Sequence, residues 1–124
     1  MIRAASFALC LLAGTSVSAG EMRLVMVEQP GCAYCAAWND QIAPAYPNTD
    51  EGRFAPLVRA DLHMGPPEGI DYARRVNFTP TFILTEDGAE IARIEGYPGE
   101  DFFWPVYTLL LQRHTDFTTE VPEN

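Results

Sequence analysis

Two cysteines with two residues between them, in Cys32-Ala33-Tyr34-Cys35, are the side chains with the most chemistry to offer in this chain. Met22 to Glu28 ahead of them is rich in β-formers, and Ala33 to Ala43 after them has helical composition. The pair is therefore expected where a strand feeds a helix. The first turn of a helix presents unpaired N–H groups and a partial positive charge. Both favour a thiolate over a thiol and lower a cysteine's pKa from its free value of about 8.5. The chemistry this predicts is thiol–disulfide exchange. Cys32, the accessible first cysteine, attacks a disulfide sulfur; Cys35, one turn further in, attacks Cys32 and resolves the mixed disulfide. Run backwards, the same pair donates a disulfide, and the residues alone do not choose the direction.

Other uses of the pair have less support. A zinc site needs four ligands, and the two histidines, His63 and His114, are not in metal-ligand spacing with each other. A purely structural bridge over a two-residue loop closes too little chain to stabilise much. A non-catalytic regulatory module that binds a partner and keeps the bridge as a brace stays open, as does a general disulfide oxidase or isomerase. Against the latter, so short a chain has no room for an inserted helical or dimerisation domain.

The elements that must position the pair read as one α/β unit in the order β-α-β-α-β-β-α. Trp38 and Ile42 fall one turn apart on the first helix, which Pro44 and Pro47 end. Asn48 to Gly52 reads as loop and Pro56 to Leu62 as a second strand with Leu57 and Val58 in the core. After the Gly/Pro-rich stretch from His63 to Gly69, a short helix is expected over Ile70 to Val76. Thr81 to Thr85 and Ala89 to Ile94 read as strands joined by an Asp87-Gly88 hairpin. Gly96 to Gly99 breaks the chain. A last helix begins with Glu100 and Asp101, acids suited to a helix N-terminus, and is expected to bury Phe103, Val106, Leu110 and Tyr107. Two strand–helix–strand crossings imply parallel strands and the hairpin an antiparallel pair. The fold class is thus a mixed four-stranded sheet with helices on both faces.

Residues 1–19 read as a cleavable export signal. Arg3 is followed by an apolar run, Ala4 to Gly14, broken only by Ser6, and by the small-residue cleavage site Val17-Ser18-Ala19. The run is shorter than the ~20 apolar residues a membrane span needs. Removing it takes Cys10 with it and leaves Cys32 and Cys35. Residues 20–114 form the single domain, with a polar tail over 115–124. The chain carries 17 acidic residues against 8 basic ones, Arg3 included, for a net charge of −9. That disfavours nucleic acid, so none is expected as a partner, and it disfavours an anionic membrane surface. Monomer is the expected state at this size, and no cofactor or metal is expected.

A second constellation, Thr79-Pro80-Thr81, precedes the third strand. Together with the Cys-x-x-Cys after the first strand, the Asp-Gly hairpin and the Gly before the last helix, it resembles the thioredoxin superfamily over roughly Met22 to Leu111. The resemblance implies a thioredoxin-like fold and a cis peptide bond at Pro80. It also implies a client groove walled by Cys32, Tyr34, Thr79 and Pro80, where Thr79 offers backbone groups to an extended client segment. Phe78 and Tyr97 stand at its border, with core packing the plainer role for each. The segments Glu28 to Cys35, Arg75 to Phe82 and Glu95 to Phe103 are similar to the small periplasmic thioredoxins of bacterial sulfur-oxidation loci. That branch implies a protein thiol or disulfide client, a sulfur-carrier subunit whose cysteine is kept reduced, and electrons from a membrane thiol transporter. Two departures from ordinary thioredoxin stand out. Gly31-Cys32-Ala33-Tyr34-Cys35 replaces the family's Trp-Cys-Gly-Pro-Cys, and Met26 occupies the place of its buried Asp. Glu28 is then the nearest acid able to handle the Cys35 proton, though a strand-end carboxylate is more often simply solvated. His63 reads as a surface residue.

Overall fold

The computed structural model describes residues 20–119. The expected export signal, with its cut after Ala19, lies outside the described residues, as do residues 120–124. The chain runs through β1 (Met22–Glu28), α1 (Ala33–Gln41), a 3-10 turn (Tyr46–Asn48), α2 (Asp50–Phe54) and β2 (Leu57–Asp61). A second 3-10 turn (Leu62–Met64), β3 (Thr81–Glu86), β4 (Ala89–Glu95) and α3 (Glu100–His114) complete it. The four strands lie in the order β2-β1-β3-β4. This is a mixed α/β fold built on one four-stranded sheet.

β1 is central and almost wholly buried. Alternation along it divides the interior in two. Met22, Leu24 and Met26, with Phe82 and Leu84 of β3, face α1 and α3. Trp38 sits fully buried in that layer, its ring 5.1 Å from Phe82 and 5.8 Å from Phe103. The same layer holds a buried hydroxyl pair: Tyr46 donates to the Ala55 carbonyl at 2.6 Å, which leaves Tyr107 to donate to Tyr46 at 2.8 Å. Burial pushes both phenols well above their ordinary range, so each keeps its proton for these bonds.

Three expectations about the scaffold give way here. The short helix lies before β2: Thr49 caps α2 by accepting from the Gly52 N–H at 3.0 Å, in a stretch read as loop. Ile70 to Val76 is not helical. Its backbone finds partners at the sheet edge instead, with the Asp71 N–H donating to the Gly88 carbonyl at 2.8 Å and the Asp71 carbonyl accepting from the Glu90 N–H at 3.1 Å. Only the first crossing is parallel; β3 runs antiparallel to both β1 and β4. With no α-helix between β2 and β3, all three α-helices pack on one face of the sheet and not on both. The other face, with Val25, Val27, Ala60 and Ile83, is covered by Leu62 of the second 3-10 turn and by Ile70, Tyr72 and Val76 of the irregular segment.

Two smaller corrections concern α3 and the residues after it. The buried stripe of α3 is Phe103, Tyr107 and Leu111, while Val106 is exposed and Leu110 only partly buried. The segment read as polar tail begins by packing: Phe117 is buried, 5.1 Å from the ring of Phe54. The Asp87-Gly88 hairpin has φ of 51° and 85° at its two residues, the left-handed pair that a tight turn between twisted strands requires.

Candidate active site

Cys32 is the N-cap of α1, in extended conformation, and Cys35 lies in the helix's first turn. The two are joined as a disulfide with their Cα atoms 5.2 Å apart. The Cys35 N–H donates to Cys32 Sγ at 3.1 Å, so one of the unpaired donors of the helix end already points at this sulfur. Cys32 is partly exposed, whereas Cys35 is 3% exposed and packs into the core layer of Trp38. Gly31, at φ 77°, makes the turn that brings the chain from β1 into the helix.

The loop before β3 comes alongside. The Thr79–Pro80 peptide bond is cis. Gln29, just after β1, donates its amide to Thr79 Oγ1 at 2.9 Å, and the Thr81 hydroxyl donates to the Phe78 carbonyl at 2.7 Å. The Pro80 carbonyl accepts from the Gly96 N–H at 2.8 Å. Among the described residues, neither the N–H nor the carbonyl of Thr79 takes a hydrogen-bond partner.

A groove of about 740 Å³ runs between this loop and α1, lined by Tyr34, Gln41, Thr79, Pro80, Tyr97 and Pro98. Tyr34 is 66% exposed at its edge. Tyr97 donates to Gln41 Oε1 at 2.6 Å, which fixes its ring as a wall; burial, with the charges of Glu100 and Asp101, raises its pKa. Phe78 is 49% exposed but is not among the residues that line the groove. His63 is exposed and lies on another surface.

Glu28 shares a separate recess of about 420 Å³ with Gln29, Cys32, Cys35 and Asn39. Its carboxylate accepts from Arg59 Nη1 at 2.7 Å and from the Asn39 amide at 3.2 Å, and Arg59 also donates to Asn39 Oδ1 at 2.8 Å. Arg59 belongs to β2 directly opposite Met26, whose sulfur lies 3.7 Å from the guanidinium. The sequence singled out Glu28 but missed Gln29, Asn39 and Arg59. An Arg inside a five-residue strand beside the central one was the available signal, because strand pairing puts it next to whatever ends β1. Among the described residues, no group of three or more His, Cys, Asp or Glu side chains is placed to hold a metal ion.

Comparison with known proteins agrees with this geometry. A family model described as a thioredoxin-like domain matches residues 15–108. Among solved structures, the periplasmic thioredoxin SoxS from Paracoccus pantotrophus, in its reduced form, is 55% identical with a TM-score of 0.72, over 75% of this chain and 98% of that one. Trxlp from Edwardsiella tarda EIB202 is 19% identical over 77% of this chain and 84% of that one, with a TM-score of 0.49. Malassezia sympodialis thioredoxin is 16% identical over 77% and 76%, with a TM-score of 0.47. These last two are too distant to carry anything further. No match was found among curated proteins.

Proposed function

The chain belongs to the thioredoxin-like family, and from that premise we propose that it is a periplasmic dithiol reductant whose client is a cysteine of a sulfur-carrier protein. Thiol–disulfide oxidoreductase chemistry is the family's and the chain's. The compartment and the client rest on the 55% identity to a periplasmic thioredoxin SoxS, and the compartment also on the export signal read in residues 1–19. The observation that carries the reading is the Cys32–Cys35 disulfide at a helix N-terminus, one sulfur open and the other covered, beside a loop with an unpaired Thr79 backbone.

In the reduced protein Cys32 is the attacking thiolate. It displaces one sulfur of the client disulfide and forms a Cys32–client bond, and the first client thiolate leaves with an electron pair. Thr79 and Pro80 hold the client segment extended, with Tyr34 as the outer wall. Cys35 then loses its proton toward Glu28 and attacks Cys32 Sγ. The second client thiolate departs, and the enzyme is left as the disulfide seen here. Two electrons have passed to the client, and an external dithiol at the membrane must return them.

Trapping tests this. Cys35→Ser, exported in the source cell, should stall as a mixed disulfide between Cys32 and the client. A single dominant adduct with a sulfur-carrier subunit supports the proposal. Capture of many unrelated secreted proteins would instead mark a general disulfide catalyst. No adduct, with Cys32 still open to alkylation, would leave the pair as a brace in a binding module.

A further inference from the structure

Another recess, of about 700 Å³, is lined in part by Arg74 to Asn77, the segment that leads into Thr79 and Pro80. Its lining includes His63, Arg74, Arg75 and Asn77, together with Val27 and Val76. No Asp or Glu lines it, in a chain where acids outnumber bases 17 to 8. The backbone that carries these side chains is held by hydrogen bonds. Arg93, 4% exposed, donates to the carbonyls of Arg74 at 2.9 Å and Arg75 at 3.3 Å. The His63 N–H is tied to Asp61 Oδ1 at 2.7 Å. Arg74 is ion-paired and hydrogen-bonded to Glu95 at 3.3 Å, whereas Arg75 makes no ion pair among the described residues and is the guanidinium left for a ligand. Only Phe78 separates Asn77, in this recess, from Thr79, in the groove.

Guanidinium, imidazole and amide side chains that line one recess, with no carboxylate in its lining, suit an oxyanion, which Arg binds through paired N–H donors. The recess is far larger than one inorganic ion, and its Asn77 lies two residues along the chain from the Thr79 at which a client segment would be laid. We infer that it is an oxyanion subsite that takes an acidic side chain of the client, a few residues from the client's reactive cysteine. This rests on the reductant reading above. It also gives an acidic protein a way to select an acidic client segment: elsewhere the net charge of −9 repels such a segment, so productive docking is confined to one register.

The test uses decapeptides whose cysteine is blocked as a mixed disulfide with an uncharged S-methylthio group, in which one Glu or Gln is walked through the flanking positions. Reduced wild-type protein should reduce the Glu peptide about 2–5-fold faster than its Gln twin at one or more positions, the span of an exposed Arg–carboxylate pair. The preference should vanish in Arg75→Gln, survive in Arg75→Lys, and weaken with added sulfate at constant ionic strength. The Gln peptide should be reduced equally by all three proteins. Equal rates for Glu and Gln at every position, or a preference that persists in Arg75→Gln, overturns the inference. Sulfate binding without any Glu preference makes the recess an inorganic-anion site and overturns it too. If no peptide is reduced, the reductant reading fails. Equilibrium binding of the same peptides, with Ser for Cys, to the oxidised protein then decides the subsite by the same Glu-over-Gln comparison.

Discussion

At Glu28 the chain replaces one residue's task with another's. Met26 offers no proton acceptor in the middle of β1, and it is fully buried. Two residues on, alternation returns the chain to the same face, and Glu28 opens into the recess it shares with Cys32 and Cys35. Arg59 and Asn39 hold the carboxylate there as donors, which keeps it directed without burying it. If this group takes the Cys35 proton, Glu28→Gln should leave the attack of Cys32 on a client disulfide unchanged and slow only the release step. The expected slowing is about 10²-fold, the lower end for loss of a positioned base. Stopped-flow measurement of mixed-disulfide formation and decay separates the two steps. Unchanged decay would leave Glu28 as no more than the ion-pair partner of Arg59.

At the scale of elements, the pieces that carry the cysteines were legible and the piece that carries Pro80's approach was not. The strand of Met22 to Glu28, the helix beginning beside Cys32 and the Asp87-Gly88 hairpin follow from local rules that nothing in the fold contradicts. Ile70 to Val76 failed because its backbone is satisfied by tertiary partners no periodicity announces. The pairing of β3 with β4 slips between Leu84 and Thr85, where Ile91 is the extra residue. Residues three apart on a strand normally face opposite sides; the slip puts Glu90 and Arg93 on the same one. There they form a pair only 3% and 4% exposed, 2.6 Å apart. Glu90 accepts from the Ala73 N–H at 3.1 Å while Arg93 holds the carbonyls of Arg74 and Arg75. An ion pair thus does the work expected of a helix. Arg93→Met strands the Glu90 carboxylate and should cost about 3–5 kcal/mol in urea unfolding. Burial pushes the Glu90 carboxyl up, but the Arg93 and Ala73 hydrogen bonds and the charges of Arg93 and Arg74 outweigh it, so its pKa lies below the ordinary range. A carboxylate depressed in the folded state contributes stability that is complete above its unfolded pKa of about 4.3 and is lost as pH falls through the folded value. Wild-type stability should therefore drop below about pH 4 more steeply than that of Glu90→Gln, a difference acid titration of the unfolding midpoint reads directly.

For the whole molecule, the open question is which redox state the fold prefers, because that decides the direction of electron flow. A strong oxidant is one whose reduced form is stabilised, through a heavily favoured thiolate. Here the thiolate at Cys32 has the helix end and the Cys35 N–H to favour it. The residues between the cysteines, Ala33 and Tyr34, supply no cation, and the recess beside the pair contains a carboxylate, Glu28, and no basic side chain. The nearby guanidinium of Arg59 is already committed to that carboxylate. A net charge of −9 adds a further, diffuse penalty on any new anion. The reduced form therefore gains little, and the disulfide form should be the more stable of the two. Thermal unfolding should give a higher midpoint for the oxidised protein than for the protein in dithiothreitol. Equilibration with glutathione should place the potential nearer the value of about −270 mV of thioredoxin than the value of about −120 mV of a strong oxidant. Since 30 mV corresponds to about 1.4 kcal/mol for this two-electron couple, the two measurements must agree in sign as well as size. A reduced form that melts higher, with a potential above about −150 mV, would turn the electron flow around and make the protein a donor of disulfides.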